Sequence, residues 1–349
     1  MKTKLFAIVA MAVCFVQPKV VAQDVAVVTL QHGESMTAYY GTNAFVEAVA
    51  AAEAGDLLTL SAGNFNATTI TKPLKIQGAG YTLDPQNFKY RTAINGSVSI
   101  NIPGGVSGLL FEGIWFVNSV NVQGNALNGY TFRKCRLNYL DLQYENSGGF
   151  IDQCRIANTL KFGAPTTQFF VSNSIVQYIF DSSYNSENTS TSNTFDHCVI
   201  IHQVENGVVA NFRNSLIRNP SGSLDCGYYN NVMEKNFYWS TYDSKNDELN
   251  TVFDYSDHGN NPNDYTNENY KSLFASGESR YYNDEYDYRL TDEAAATYLG
   301  SDGTQVGIYG GVTSFTDVPS NPQVTSKNIS ARSNANGKLS VRITVEAQQ

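Results

Sequence analysis

Two stretches of the chain, FRKCRLN at residues 132–138 and FIDQCRIAN at 150–158, carry nearly the same pattern around a cysteine, nineteen residues apart. Aligned on this cysteine, the pattern recurs at intervals of 16 to 24 residues along the middle of the chain. The aligned position holds a small or polar residue in each copy: Gly113, Cys135, Cys154, Ser174, Cys198, Ser215 and Asn231. A repeat of this length therefore decides the fold.

The repeat consists of short β-branched or aromatic runs separated by Asn and Gly, which is typical of strands and turns. Three short strands per repeat predict an all-β solenoid, a right-handed parallel β-helix, whose coils stack at about 4.8 Å. A polar residue follows the aligned position by three to five residues, as at Asn118, Asn138 and Asn158. We expect these side chains to form an amide ladder between coils.

The first 22 residues have the pattern of a signal peptide. Lys2 and Lys4 precede an apolar run over residues 5–16, and cleavage is expected near Ala22. We therefore expect a secreted protein that reaches the periplasm, the cell surface or the medium. The apolar run is too short for a membrane span, and no other stretch of the sequence approaches the required length.

The remaining sequence divides into a β-helix over residues 23–318 and an extension over 319–349. Residues 42–54, TNAFVEAVAAAEA, predict an amphipathic helix that caps the N-terminal end of the solenoid. The extension predicts a β-hairpin around Asn336-Gly337. Two placements of the hairpin stay open, a flank of the β-helix and a small separate module; the flank is favoured because so short a segment buries little core alone.

Two stretches resemble a known superfamily. AFVEAVAAAEAGDLLTLSAGNFN…ITKPLKIQGAG (44–80) is similar to the first coil of the pectin/pectate-lyase-like β-helix proteins, in which a helix precedes Gly-Asp, a buried strand and a Gly-x-aromatic turn. DYRLTDEAAATYLGSDGTQVGIYGG (287–311) resembles the last coil of secreted bacterial members, with Ala-Ala-Ala-Thr where those proteins more often carry Ser-Pro-Ala-Ile. The resemblance implies the right-handed fold and an action on polysaccharide in a groove on the outer face of the coils.

Charge and cysteine content narrow the function classes. Removal of residues 1–22 takes away three lysines and no acid, so the net charge falls from −9 to −12. An acidic chain of this kind is a poor partner for nucleic acid or anionic membranes. The mature chain keeps four cysteines, of which Cys135 and Cys154 fall on adjacent coils. A buried, unbridged cysteine column is favoured over a disulfide between these two, and Cys226 falls outside the column.

The residues that flank the aligned position supply the candidate site. One stack reads Arg133, Asp152, Ser172, Asp196 and Arg213, and a second begins with Arg136 and Arg155. We expect both to point outward and to be exposed. In a lyase, Arg136 or Arg155 would be the catalytic base and Asp152 and Asp196 would bind Ca²⁺. The other interpretation is an exposed salt-bridge ladder that supports coil stacking weakly.

Further candidates concern substrate binding. Arg133, Lys161 and Arg213 could pair with an acidic glycan, and Tyr238 and Trp239 of the tyrosine-rich segment 228–298 could stack on sugar rings. Three hypotheses follow: a secreted protein that binds polysaccharide, a polysaccharide lyase that cleaves a uronate-containing glycan by β-elimination, and a structural or adhesive surface protein. The expected partner is a glycan, the chain is expected to be a monomer, and Ca²⁺ is the one cofactor that the lyase alternative implies.

Overall fold

The computed structural model describes the chain from residue 26 to residue 346, with gaps. The described residues are 26–84, 90–104, 108–163, 165–182, 193–205, 208–218, 227–229, 231–233, 241–242, 249–250, 271–276, 281–330, 332–333 and 336–346. The signal-peptide prediction for residues 1–22, and Cys226, lie outside them.

The described residues are mostly strands, with two helices, α1 (Ala44–Ala51) and α2 (Asp292–Thr297). The strands of the N-terminal part are β1 (Val27–His32), β2 (Ser35–Tyr40), β3 (Leu57–Leu60), β4 (Gly63–Asn66), β5 (Thr69–Ile70), β6 (Lys75–Gln77), β7 (Thr92–Asn95), β8 (Val98–Ile100), β9 (Leu109–Glu112) and β10 (Trp115–Val122). The middle strands are β11 (Leu127–Asn128), β12 (Tyr130–Arg133), β13 (Arg136–Leu142), β14 (Asn146–Ser147), β15 (Phe150–Asp152), β16 (Arg155–Phe162), β17 (Thr166–Thr167), β18 (Phe170–Ser172), β19 (Ile175–Asp181), β20 (Thr194–Asp196) and β21 (Val199–Val204). The last strands are β22 (Asn211–Arg213), β23 (Leu216–Ile217), β24 (Gly227–Tyr229), β25 (Val232–Met233), β26 (Thr241–Tyr242), β27 (Leu249–Asn250), β28 (Gln323–Ile329) and β29 (Val341–Glu346).

Stacked parallel sheets make the chain a β-solenoid, as the repeat predicts. The first sheet runs in the order β2-β1-β3-β6-β9-β12-β15-β18-β20-β22-β24. Strand β1 is antiparallel to both of its neighbours, β2 and β3, and every pair of strands from β3 to β24 is parallel. The second runs β25-β23-β21-β19-β16-β13-β10-β7-β4, and a short third sheet joins β11, β14 and β17. Residues 287–311 belong to neither long sheet, although their sequence resembles a last coil.

Side chains that point inward stack in register through the interior. Phe111 and Phe132 lie on adjacent strands with ring centroids 5.2 Å apart, and Phe195 and Phe212 stack at 4.8 Å. Each of these rings is fully buried. Burial of one such side chain contributes about 1.5–3 kcal/mol, so the continuous interior column is the main source of stability.

A sharp turn connects each strand of the first sheet to the next strand of the second. Gln153, Asn173 and Asn214 occupy this turn with φ of 53°, 43° and 51°, in the left-handed region. The sequence alignment places Gly113 in the small-residue column, and this placement is wrong. Gly113 has φ 66° and lies in the left-handed turn. The column position of this coil is held by Ile114, which directly precedes β10 as Cys135 precedes β13.

The small-residue column has a hydrogen-bonding role. Its six side chains are buried, and four of them accept a hydrogen bond from the backbone N–H of the column residue one coil earlier. Four such bonds run from Cys135 N to Cys154 Sγ (3.4 Å), Cys154 N to Ser174 Oγ (3.0 Å), Cys198 N to Ser215 Oγ (2.9 Å) and Ser215 N to Asn231 Oδ1 (2.9 Å). The prediction of a buried column is therefore confirmed, and Cys135, Cys154 and Cys198 are unbridged.

The prediction of an amide ladder between coils is wrong for Asn118 and Asn158, because neither side chain bonds to another side-chain amide in the ladder. Asn118 accepts a bond from the N–H of Gly96, and Asn158 donates to the hydroxyl of Tyr139. These polar residues lie at irregularities of register in the second sheet, at the points where the strand pairing shifts. Both bonds join neighbouring coils, but neither of them links two side-chain amides.

Both terminal predictions correspond to observed elements. Helix α1 lies within the predicted range 42–54 and buries Ala44, Phe45, Ala48 and Val49. The hairpin β28–β29 brackets Asn336-Gly337, and Gly337 has φ 73°, as its turn requires. The described side chains of β29 are exposed, so the placement of the hairpin on the flank stays a prediction.

Candidate functional site

The first predicted stack forms a continuous ladder on the outer face of the first sheet. In register, it contains Glu112, Arg133, Asp152, Ser172, Asp196 and Arg213. Arg133 Nε lies 3.6 Å from an oxygen of Asp152, and Arg213 Nη2 lies 3.0 Å from Asp196. Charges of opposite sign therefore face each other along the ladder, as the salt-bridge interpretation expects.

The two predicted calcium ligands lie two strands apart, at about 9.6 Å of strand spacing, with Ser172 between them. Burial raises the pKa of Asp152, against the hydrogen bond from Ser172 and the charge of Arg133. Burial also acts to raise the pKa of Asp196, but His197 and Arg213 outweigh it, and that pKa is lowered. Within the described residues no group of three His, Cys, Asp or Glu side chains is placed to hold a metal ion. The Ca²⁺ site stays a prediction.

Residues 281–321, here the C-terminal strap, lie along the turns between the two long sheets. From Ser301 to Ser320, the contacts of the strap follow the coils in reverse order. The hydrogen bonds join Ser320 to Glu112, Thr316 to Gln153, Ile308 and Gly310 to Asn173, Thr304 to His197, and Ser301 to Asn214. Apart from Glu112, which lies on β9, the side chains that bind this part of the strap belong to the left-handed turn residues of successive coils.

The strap also covers the second predicted stack. Arg136 donates two hydrogen bonds of 2.9 Å to the carboxylate of Asp284, and its guanidinium lies 4.9 Å from the ring centre of Trp115. Arg155 is only 9% exposed, and its Nη1 donates a hydrogen bond of 3.3 Å to the backbone carbonyl of Tyr286. The expectation that Arg155 is exposed is therefore wrong, because strap residues lie over it.

The surroundings of these two arginines oppose loss of a proton. Burial acts to lower the pKa of Arg136, but the hydrogen bond and charge of Asp284 and the interaction with Tyr282 together outweigh it, and the pKa is raised. For Arg155, burial is outweighed by Tyr81 and Tyr282, and the pKa is again raised. A base must give up its proton before it can act. The catalytic role of Arg136 and Arg155 thus stays a prediction that these contacts do not favour.

The outer face of the second sheet holds a groove of about 400 Å³. Two columns of side chains, in register on β10, β13, β16 and β19, form its walls. The lining residues are Ser119, Asn121, Tyr139, Leu140, Asp141, Thr159, Lys161, Tyr178, Phe180 and Glu205. Lys161 is the one predicted site residue in this groove; Arg133 and Arg213 lie on the first sheet.

The aromatic side chains of the groove are fixed by their own contacts. Tyr139 is 38% exposed, and its hydroxyl accepts a hydrogen bond of 2.6 Å from Asn158. The hydroxyl of Tyr178 donates to Glu205, and its ring is parallel to that of Phe180 within 15°, at 6.3 Å. Burial has the largest effect on the pKa of Tyr178 and raises it, and the hydrogen bond to Glu205 raises it further. This tyrosine therefore stays protonated. The rings are therefore held in place before any ligand arrives.

The polar groups of the groove can exchange hydrogen bonds with a ligand. Lys161 Nζ lies 3.6 Å from the same oxygen of Asp141 that accepts a bond of 3.0 Å from Gln143. Thr159 and Asn121 add neutral hydroxyl and amide groups to the lining. Aromatic faces beside carboxylates and neutral polar groups are suited to sugar rings, which present apolar C–H faces and a rim of hydroxyls.

Sequence reasoning missed most of the groove. Tyr139, Thr159 and Tyr178 recur at intervals of 20 and 19 residues, and this spacing is the signal that could have located them. Strands β13 and β16 pair in two stretches. One residue, Asn138, separates these stretches on β13, whereas two residues, Ala157 and Asn158, separate them on β16. The extra residue changes the spacing along the chain and obscures the signal. A shift of one residue moves every following side chain to the opposite face of a strand.

Tyr238 and Trp239 lie outside the described residues, so their predicted stacking role stays a prediction.

Within the described part of the chain, no helix is long and apolar enough to span a bilayer. Comparisons of the chain with protein-family models, with curated proteins and with solved structures gave no match. The function therefore has to be argued from the geometry of the groove.

Proposed function

We propose that the protein is a secreted β-helix protein that binds polysaccharide in the groove on the second sheet. The observation that carries the proposal is the aromatic pair Tyr139 and Tyr178, fixed in one register column and flanked by hydroxyl, amide and carboxylate groups. The proposal includes the finer features implied by the sequence: a right-handed coil, α1 as the N-terminal cap, export through residues 1–22, a monomer, and kinship with the pectin/pectate-lyase-like superfamily.

A polymer suits the shape of this site. The lining columns extend over four adjacent strands of the stack, so the groove runs along the solenoid axis and crosses several coils. A chain laid along this axis would meet two lining side chains on each of these strands, one from each column. Rigid aromatic rings lose little conformational entropy when a ligand binds, which favours their use as binding platforms.

Affinity electrophoresis in gels that contain soluble polysaccharides tests the proposal. We expect the protein to be retarded by at least one polymer of a broad panel, and Tyr139→Ala to lose most of this retardation. The matched control is Tyr144→Ala, since Tyr144 is also exposed, at 46%, but does not line the groove. Equal retardation of the Tyr139 and Tyr144 variants would place the binding site elsewhere.

The lyase and adhesive alternatives remain hypotheses. A lyase would generate the ultraviolet absorbance of an unsaturated uronate and would depend on Ca²⁺, whereas a binding protein would only be retarded in the gel. Incubation of the protein with polyuronate, with and without Ca²⁺, distinguishes the two.

A further inference from the structure

The charges of the groove define the class of glycan that it can accept. Asp141 and Glu205 supply two carboxyl side chains, whereas Lys161 supplies the single basic group of the lining. Lys161 lies 3.6 Å from Asp141, so its charge is largely compensated within the protein. A polymer with a carboxylate on every sugar would bring further negative charge to a site that already has an excess of acid, in a protein of net charge −9.

The arginines that could attract an acidic polymer are occupied. Arg136 is paired in bidentate fashion with Asp284, and Arg155 lies beneath the strap with 9% of its surface exposed. Arg133 and Arg213 face carboxylates of their own ladder on the first sheet. Three of these four arginines therefore face a carboxylate, the fourth lies beneath the strap, and none of the four lines the groove.

We infer that the ligand of the groove is an uncharged glycan that lies along the solenoid axis and stacks on Tyr139 and Tyr178. This inference rests on the proposed function, because it names the substrate class of the same site. It departs from the acidic glycan that the arginine stacks suggest.

The spacing of the aromatic rings supports an extended chain of neutral sugars. Tyr139 pairs with Thr159, and Thr159 pairs with Tyr178, so the two tyrosines stand two strands apart, at about 9.6 Å. This distance is comparable with the length of a disaccharide unit in an extended polysaccharide. One ring of each disaccharide would then face a tyrosine, and the next would lie over Thr159, whose hydroxyl can bond a sugar hydroxyl.

The carboxylates have a role in binding a neutral ligand as well. A carboxylate that accepts a hydrogen bond from a sugar hydroxyl forms a charge-assisted bond, which is roughly twice as strong as a neutral one. Asp141 and Glu205 both line the groove, and Asp141 lies in register with Asn121 on the neighbouring strand. The same acidic groups that repel a uronate thus serve as acceptors for hydroxyls.

The experiment compares two probes, a soluble glucomannan and polygalacturonate, by affinity electrophoresis and isothermal titration at low and high salt. We expect binding to glucomannan that is nearly independent of salt, and no binding to polygalacturonate. Tyr139→Ala should weaken glucomannan binding roughly tenfold, which corresponds to about 1.4 kcal/mol for the loss of a stacking platform. Tyr144→Ala should not change it.

A charge variant sharpens the test. The double substitution Asp141→Asn and Glu205→Gln leaves Lys161 as the one charge of the lining, and we expect it to gain salt-sensitive binding to polygalacturonate. Binding of polygalacturonate by the unaltered protein, lost in Tyr139→Ala and without binding of glucomannan, would overturn the inference and leave the proposed function standing. Failure of both probes, and of a wider panel of neutral and acidic polymers, would overturn both.

Discussion

Removal of the hydroxyl of Ser174 tests the hydrogen-bonded column directly. Ser174 Oγ accepts the N–H of Cys154 at 3.0 Å and donates to the carbonyl of Ser172 at 2.6 Å, and both Ser174 and Cys154 are fully buried. In Ser174→Ala, the N–H of Cys154 loses this partner in an interior that water does not reach. A buried unsatisfied donor costs about 1–3 kcal/mol, and we expect a loss of that size in the free energy of unfolding.

Ser174→Cys should be tolerated far better, because cysteine fills the equivalent positions 154 and 198 and its sulfur accepts the same kind of bond at Cys154. The measurement is urea unfolding followed by circular dichroism, with Ser119→Ala as the control. Ser119 lies on β10 with its side chain on the outer face, so its loss should change the free energy by less than about 0.5 kcal/mol. If Ser174→Ala proved as stable as the unaltered protein while Ser174→Cys did not, size rather than hydrogen bonding would select the column.

Three further outcomes are expected. Cys154→Leu should be less stable than Cys154→Ser by about 1–3 kcal/mol in urea unfolding, since leucine overpacks a filled column; equal stability would show that the position is not interior. Thiol titration of the native protein should leave Cys154 and Cys198 unreacted until denaturant is added, because burial raises the pKa of both thiols and shields them; rapid native reaction of either would refute this. Burial acts to raise the pKa of Asp284, but the hydrogen bonds from Arg136 and Tyr282 and the charges of Arg136 and Arg155 together outweigh it, and the pKa is lowered. The pair of Arg136 and Asp284 therefore stabilises the strap above about pH 3.9, and this stabilisation is lost as the pH falls through the lowered pKa. Thermal unfolding should therefore separate the unaltered protein from Asp284→Asn at neutral pH and not near pH 2; a constant difference would exclude the pair as its cause.

The sequence sufficed for the solenoid because the same physical demand recurs in every coil. A small side chain follows the left-handed turn in successive coils, as at Cys135, Cys154 and Ser174, and those of Cys154 and Ser174 accept a hydrogen bond from the coil before. Apolar side chains of the strands then alternate inward and outward with period two. A repeated local rule of this kind leaves a visible mark in the sequence, and the helix and the terminal hairpin follow equally local rules.

The site was harder to predict because its determinants are not local. Gly113 was misaligned by one residue, since small size suits a left-handed turn as well as a filled column. The groove is lined by adjacent strands of which β16 has one residue more than β13 and β19 between its paired stretches. The sequence spacing is therefore uneven, and it hides the column that contains Tyr139 and Tyr178. The burial of Arg155 depends on Tyr286, more than a hundred residues later in the chain. No pattern within a single repeat reports such a contact.

The hydrogen bonds of the column all point the same way, which gives the stack a direction of growth. Four coils are completed by a side chain of the coil that follows in the sequence, as Cys198 is by Ser215 and Ser215 by Asn231. A ribosome delivers the N-terminal coils first. At every moment of delivery the newest coil therefore carries one amide group without its partner, and the arrival of the next coil supplies it. Chain synthesis and coil closure proceed in the same order, and the strap, which contacts many coils at once, can only bind after the stack exists.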